Sequence, residues 1–501
     1  MLLWLWVLTW IAVAGMTVLA LLRPHLKAAW WIALGGAWLL ALLWAAAYPS
    51  TPRVGLWPGL WSPVQPPPGS QFTSWTWAAG LVVLVAAWAG LALAAHRLPA
   101  ALVTDPRPWA AWLLLAMLGL TGVTATAGWA NALAWAVIDG AVLAVEWHTR
   151  PTPQARYHAA RRTGVRALFW MVPIAAHALP KAWTAPVWAV ALLGRALAAP
   201  QVPSSTDAVF AHTGRWIWWL PWMVSWAPWL HARPAALSAP AALVVAAIGI
   251  GAGFRAVWRN DETLPSGGWL TAVGALLLLA APVHLEAARA WWLLLTVGGL
   301  SLELLRMSPN PWLAGGWAVV MAAPALLAPF TPAAVALAAW PWPPTPVTGA
   351  LILLYALLLA AAWRQWPRGG DALANAPRGA QVLVATGIFA LPAVLWGVGL
   401  RLGWITPPGN LPGWLPWGAG PVVAGGGFLI ASLRRKSGPR ANRQRRGLLA
   451  AGGRALRALV RSWGQGLENA ILFTTSLLEG EGGVFWALVA LALGLLWWKG
   501  G

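Results

Sequence analysis

Residues 112–147 read WLLLAMLGLTGVTATAGWANALAWAVIDGAVLAVEW. Two apolar runs flank a short stretch of small and polar residues. The runs are continuously apolar rather than alternating, so they read as helices and not as barrel strands. Each approaches the ~20 residues needed to cross a hydrocarbon core of about 30 Å. A single carboxylate, Asp139, stands in the middle of the second run. A charge at the bilayer centre costs about 2.5–3.5 kcal/mol even on insertion scales. Asp139 must therefore pair, take up a proton or face a wet cavity, which makes it the first functional candidate.

The composition extends this reading to the whole chain. The 501 residues are 60% hydrophobic and 9% charged, against about 25% charged in a soluble domain. Long apolar runs recur along nearly the whole length. The expected fold is all-α: a polytopic transmembrane bundle of about 14 helices (range 12–16), some of them broken by proline. Without cysteine, disulfides, thiolate metal sites, iron–sulfur clusters and cysteine nucleophiles are excluded.

The net charge of +21 invites nucleic acid as a partner. The basic residues lie instead in short loops, where they orient membrane helices, and no nucleic-acid partner is expected. The 44 tryptophans read as headgroup anchors in part, and otherwise as lipid-compatible bulk.

The first run, about 2–22, has no positive residue before it, while Arg23 and Lys27 follow. This is the reverse of a secretory signal and predicts an uncleaved first helix with its N-terminus outside. Further spans are expected near 28–48, 73–95, 108–127 and 129–146, with a Pro/Gly-rich outer loop over 50–72. The loop 147–166 carries Arg150, Arg156, Arg161, Arg162 and Arg166 without an acid, so it reads as cytoplasmic. Five crossings from an outside start end on that same side.

Apolar stretches follow near 167–199, 215–230, 235–254, 268–283, 290–305 and 312–341. Pro173, Pro180, Pro221 and Pro228 predict kinks or breaks among them. Spans near 346–363, 381–402 and 415–432 complete a bundle over 1–432. Residues 434–461 hold ten basic residues and no acid. Within the next segment, 433–483, Leu456, Leu459, Val460, Trp463 and Leu467 share one helical face. Arg454, Arg457 and Arg461 lie largely on the other, as in a helix resting on an anionic inner leaflet. Glu479 and Glu481 suit the start of a final span in 484–501, where acids meet the positive end of the helix dipole. Both termini are then outside.

Besides Asp139, the ionisable candidates for a proton pathway are His177, Lys181, Arg215, Glu286 and Glu303. Each has a simpler reading. Glu286 with Arg289, and Glu303 with Arg306, are spaced as i,i+3 ion pairs. His177 and Lys181 suit an interface, and Arg215 can snorkel. No catalytic motif appears: there is no GxSxG, HExxH, P-loop or dinucleotide fingerprint. The eight histidines show no ligand spacing, so neither metal nor cofactor is expected.

The stretch 112–147 resembles the fourth and fifth helices of the antiporter-like subunits of respiratory complex I and of multisubunit sodium/proton antiporters. Asp139 falls near the family's half-channel glutamate. The segment WWLPWMVSWAPWLHARPAALSAPAAL, residues 218–243, is similar to the family's broken helix, with Trp226, Pro228, Pro234 and Ser238 keeping its rhythm. ALLAPFTPAAVALAAW is a looser echo of a late proline-rich turn. The resemblance spans about residues 70–430.

The resemblance implies a membrane subunit within a larger complex, at most a non-catalytic one of an NADH–quinone oxidoreductase type. It also implies a line of protonatable residues in which Asp139 is the carboxylate and Arg215 stands near its basic partner. That line departs from the family: arginine does not relay protons, 239–254 holds no ionisable residue, and 381–402 holds none before Arg401. The chain is expected to be a divergent subunit, proton-translocating or structural. The alternatives are a stand-alone secondary transporter of another fold and a membrane-embedded lipid or glycan transferase. The outer loop 50–72, with Arg53 and no acid, disfavours the transferase.

Overall fold

The computed structural model describes residues 2–23, 28–48, 53–56, 69–94, 106–125, 128–150, 152–200, 215–231, 236–258, 267–307, 346–364 and 376–402, with short pieces at 234 and between 310 and 321. The chain divides into two units, Met1–Ala431 and Ser432–Gly501, and all described residues lie in the first. The expected spans at 415–432 and 484–498, the basic stretch 434–461, and Glu479 and Glu481 lie outside the described residues.

The architecture is an all-α helix bundle. The N-terminal part is α1 (Leu2–Leu22), α2 (Ala29–Ala46), α3 (Ser74–Leu93), α4 (Arg107–Thr124) and α5 (Gly128–Thr149). The middle runs through α6 (Pro153–Ala167), α7 (Val172–Ala178), α8 (Lys181–Leu197) and α9 (Leu220–Trp229), the last preceded by a 3₁₀ turn, Arg215–Trp219. Then come α10 (Ala239–Trp258), α11 (Gly267–Ala280), α12 (Leu285–Met307), α13 (Pro346–Arg364) and α14 (Arg378–Arg401). Six described helices are long and apolar enough to cross a membrane, and the chain is a multi-pass membrane protein.

Two of the segments expected to connect spans carry regular structure of their own. The Pro/Gly-rich stretch 50–72 contains an antiparallel strand pair, Arg53–Leu56 with Gly69–Phe72. The basic loop 147–166 is largely a helix, α6. Its start is set by Thr152, whose side chain accepts from the Ala155 amide, and by Pro153 in its first turn, a usual N-terminal arrangement. Arg166 is buried and Arg161 exposed, so the arginines of this helix point in different directions.

Proline placement explains the middle of the chain. Pro173 and Pro221 stand in first turns, where a missing amide costs nothing. Pro180 precedes α8 and separates it from α7. Pro228 lies in the last turn of α9. The result is a short, broken, deeply buried helix: Trp216–Ala227 is covered on every side.

Helices α3, α11 and α12 form the interior, with α3 fully buried. Helices α1, α2 and α10 carry exposed apolar side chains such as Ile11, Trp38, Leu39 and Val244, which suits contact with lipid tails. Close approach uses small residues, as in many membrane bundles. A Cβ on Gly119 would stand 2.7 Å from Leu220, and one on Gly122 would stand 2.7 Å from Val224. These two glycines let α4 pack directly on α9.

The tryptophans do more than supply bulk. Trp44 and Trp77 exchange hydrogen bonds: the Trp44 indole donates to the Trp77 carbonyl at 2.9 Å, and the Trp77 indole donates to the Trp44 carbonyl at 2.7 Å. Trp30 donates to the Leu91 carbonyl, Trp112 to that of Ala87 and Trp135 to that of Val224. Each bond joins two helices. A buried indole N–H needs an acceptor, and here the neighbouring backbone supplies it.

Candidate functional site

Asp139 lies on α5 and is fully buried. Its Oδ1 accepts from Arg166 Nε at 2.8 Å, and its Oδ2 accepts from Arg195 Nη1 at 2.8 Å. The Trp170 indole donates to Oδ2 at 2.8 Å. Three donors thus converge on one carboxylate, from α6, from the turn after α6, and from α8. A buried charge is tolerated when it is paired and hydrogen-bonded in this way.

The two arginines are themselves anchored. Arg166 Nη1 donates to the Ala198 carbonyl at 2.7 Å, and its Nη2 donates to Thr163 Oγ1 at 2.9 Å. Ala198 caps the end of α8, so Arg166 satisfies an orphan carbonyl of that helix. Arg195 Nη1 also donates to the Arg166 carbonyl at 3.2 Å. Its Nε donates to Ser225 Oγ at 2.7 Å, and its guanidinium lies 4.3 Å from the Trp135 ring centroid. Ser225 in turn donates to the Pro221 carbonyl within the broken helix α9. One continuous network therefore runs from α5 through α6 and α8 to α9.

A second buried carboxylate lies two turns along the same helix. Glu146 pairs with Arg162 at 2.9 Å and with Arg150 at 3.3 Å. Arg162 and Arg166 are one turn apart on α6, so α5 and α6 are joined by two antiparallel rungs. The Glu146 rung is closer to solvent, with 18% of the Arg162 side chain exposed. Burial lowers the Arg162 guanidinium from its ordinary value, against the pull of Glu146.

The other expected candidates divide in two. Glu286 pairs with Arg289 and Glu303 with Arg306, the latter at 3.5 Å, so both i,i+3 pairs are formed. Arg289 also donates to the carbonyls of Leu230 and His231, each at 2.8 Å. It thereby holds the end of α9 against the start of α12. His177 lies in α7, Lys181 opens α8 and Arg215 opens the 3₁₀ turn. Their side chains, and with them the expected partnership of Arg215 with Asp139, lie outside the described residues.

Arg166 and Arg195 are the residues that the sequence reading missed. In sequence Arg166 reads as one of the loop charges. Arg195 stands in the last turn of an apolar helix, and the rule that singled out Asp139 singles it out too. Among the described residues no cluster of three metal-ligating side chains occurs.

No protein-family model matches the chain, and no curated protein does. Solved structures do. A chain of the Mrp complex from Dietzia sp. DQ12-45-1b is similar at TM-score 0.61 and 16% identity, over 89% of this chain and 60% of that one. A chain of respiratory complex I from Thermus thermophilus with bound aureothin is matched at TM-score 0.45 and 15% identity, over 86% of this chain and 96% of that one. The likeness to the Mrp-complex chain shows a shared fold over most of this chain. The chain spans 60% of the length of the matched Mrp chain.

Proposed function

We propose that the chain works as a divergent antiporter-like subunit within a multisubunit membrane assembly. The observation that carries this is the fold shared with an Mrp-complex chain over 89% of the sequence. The inner cell membrane is its location, with both termini outside and the basic stretch 434–461 against an anionic inner leaflet. The loop charges support that orientation.

Within the Asp139 network, the carboxylate is the titratable member. Guanidinium groups stay protonated and cannot relay a proton. A proton arriving on an Asp139 oxygen removes the negative charge that holds Arg166 and Arg195. The protonated oxygen is then a weaker acceptor for the arginine that faces it, Arg166 on Oδ1 or Arg195 on Oδ2. The ion pairs loosen, and the strain reaches α6, α8 and, through Ser225, the broken helix α9. Loss of the proton restores them. Proton binding thereby biases an arrangement of helices, which is the requirement for coupling. His177, Lys181 and Arg215 stand on elements beside this network and are the remaining pathway candidates. Glu286 and Glu303 serve as helix-end ion pairs.

The assembly reading is tested by extraction of the native membrane in a mild detergent, followed by identification of co-purifying chains. Other polytopic subunits are expected in stoichiometric amounts. Recovery of the chain alone, as a clean monomer, would remove the subunit reading.

A further inference from the structure

Beside the Asp139 network lies a small cavity that no step above uses. It has a volume of about 10 Å³ and is lined by Arg195, Ser225, Trp218, Trp222, Trp226 and Leu270, together with the end of α8. A space of this order admits one water-sized particle. It sits in a region where every large side chain is buried.

The polar groups around it that lack a partner are all donors, a guanidinium among them. Arg195 Nη2, Trp218 Nε1 and Trp226 Nε1 are buried and have no hydrogen-bond partner. All three belong to residues that line the cavity. Each is a donor and none is an acceptor. The side chain of Trp218 is fully covered, as is that of Trp226, and Arg195 is 4% exposed. The remaining lining hydroxyl, on Ser225, gives its proton to the Pro221 carbonyl. Buried donors without acceptors are costly, about 1–3 kcal/mol each, so their gathering around one cavity calls for a ligand that accepts.

Charge points the same way. Asp139 answers one of the two buried guanidinium groups, Arg166 and Arg195, and a surplus positive charge is left in a water-poor interior. A negative particle in the cavity offsets that surplus and accepts from guanidinium and indole N–H groups together. A water would accept from two donors at most and leave the charge unanswered.

We propose that this cavity is a binding site for one compact inorganic anion, held by Arg195 Nη2 and the indole N–H groups of Trp218 and Trp226. The rival occupant is a neutral water bridging Arg195 to a carbonyl at the end of α8.

The test uses the full chain, purified in its assembly, with sodium chloride exchanged for sodium gluconate at constant ionic strength. Chloride should raise the thermal midpoint in a saturable way that gluconate does not reproduce, since a ligand bound only by the folded state stabilises it by mass action. Trp218→Phe and Trp226→Phe keep a ring and remove the donor, and each should weaken the apparent chloride affinity several-fold. An identical response to chloride and gluconate, or an unchanged chloride response in both variants, would overturn the proposal. If the variants fold poorly, bromide substitution in crystals of the unaltered protein decides: an anomalous peak beside Arg195 Nη2 supports the site, and a peak without anomalous signal identifies a water and overturns it.

Discussion

Arg166 Nε lies 2.8 Å from Asp139 Oδ1, and both side chains are wholly buried. The pair joins α5 to α6, residues 27 apart in sequence, at a depth where neither charge is screened by solvent. Breaking such a pair from one side leaves an uncompensated charge, at a cost of about 3–5 kcal/mol. Asp139→Asn should therefore lower the thermal midpoint of the extracted protein strongly. Asp139→Asn combined with Arg166→Gln should recover part of the loss. Equal midpoints for the single and double variants would contradict the pairing.

The second rung should be weaker. Glu146 is buried, but its partners Arg150 and Arg162 reach solvent, and screened pairs contribute less. Glu146→Gln should cost less than Asp139→Asn, and its cost should shrink as salt rises. A salt-independent loss as large as that of Asp139→Asn would place the rung in a dry interior instead.

The reciprocal indole–carbonyl bonds between Trp44 and Trp77 fix α2 on α3. A hydrogen bond of this kind is worth about 1 kcal/mol net. Trp44→Phe and Trp77→Phe should each lower stability by about that amount while keeping the aromatic packing. Thermal unfolding of the two single variants and the double variant measures it. A double loss well short of additive would show the two bonds acting as a unit.

Gly122 faces Val224 across the α4–α9 contact. An added methyl has no room unless α9 moves, and overpacking of this kind costs about 1–3 kcal/mol. Gly122→Ala should destabilise the chain, and Gly122→Ala with Val224→Ala should restore much of it. Gly140→Ala, which meets nothing within 4 Å, is the control and should be close to neutral.

Much of the fold was legible because apolar runs of bilayer length leave little choice. The spans read at 28–48, 73–95 and 108–127 appear as α2, α3 and α4 within a few residues. The site was half legible. Asp139 stood out as a lone charge in an apolar helix. Arg166 did not, since a loop arginine is already explained by membrane orientation and gives no sign that it folds back under α5. Arg195 was available to the same depth argument but sat near a helix end, where snorkelling is the ordinary reading. Composition gives the tryptophans as anchors and bulk, and it cannot show which carbonyl an indole will meet. The strand pair in 50–72 escaped because proline and glycine mask short pairing.

The central claim is that Asp139 couples proton binding to the helix arrangement. The direct measurement is coupled proton movement by the assembled complex in sealed vesicles, comparing the unaltered chain with Asp139→Asn and with the charge-balanced Asp139→Asn/Arg166→Gln pair. Assembly is checked in each case by the co-purifying subunits. The account predicts that both variants lose coupled proton movement while the balanced pair still assembles. Normal coupled transport in an assembled Asp139→Asn complex would contradict it.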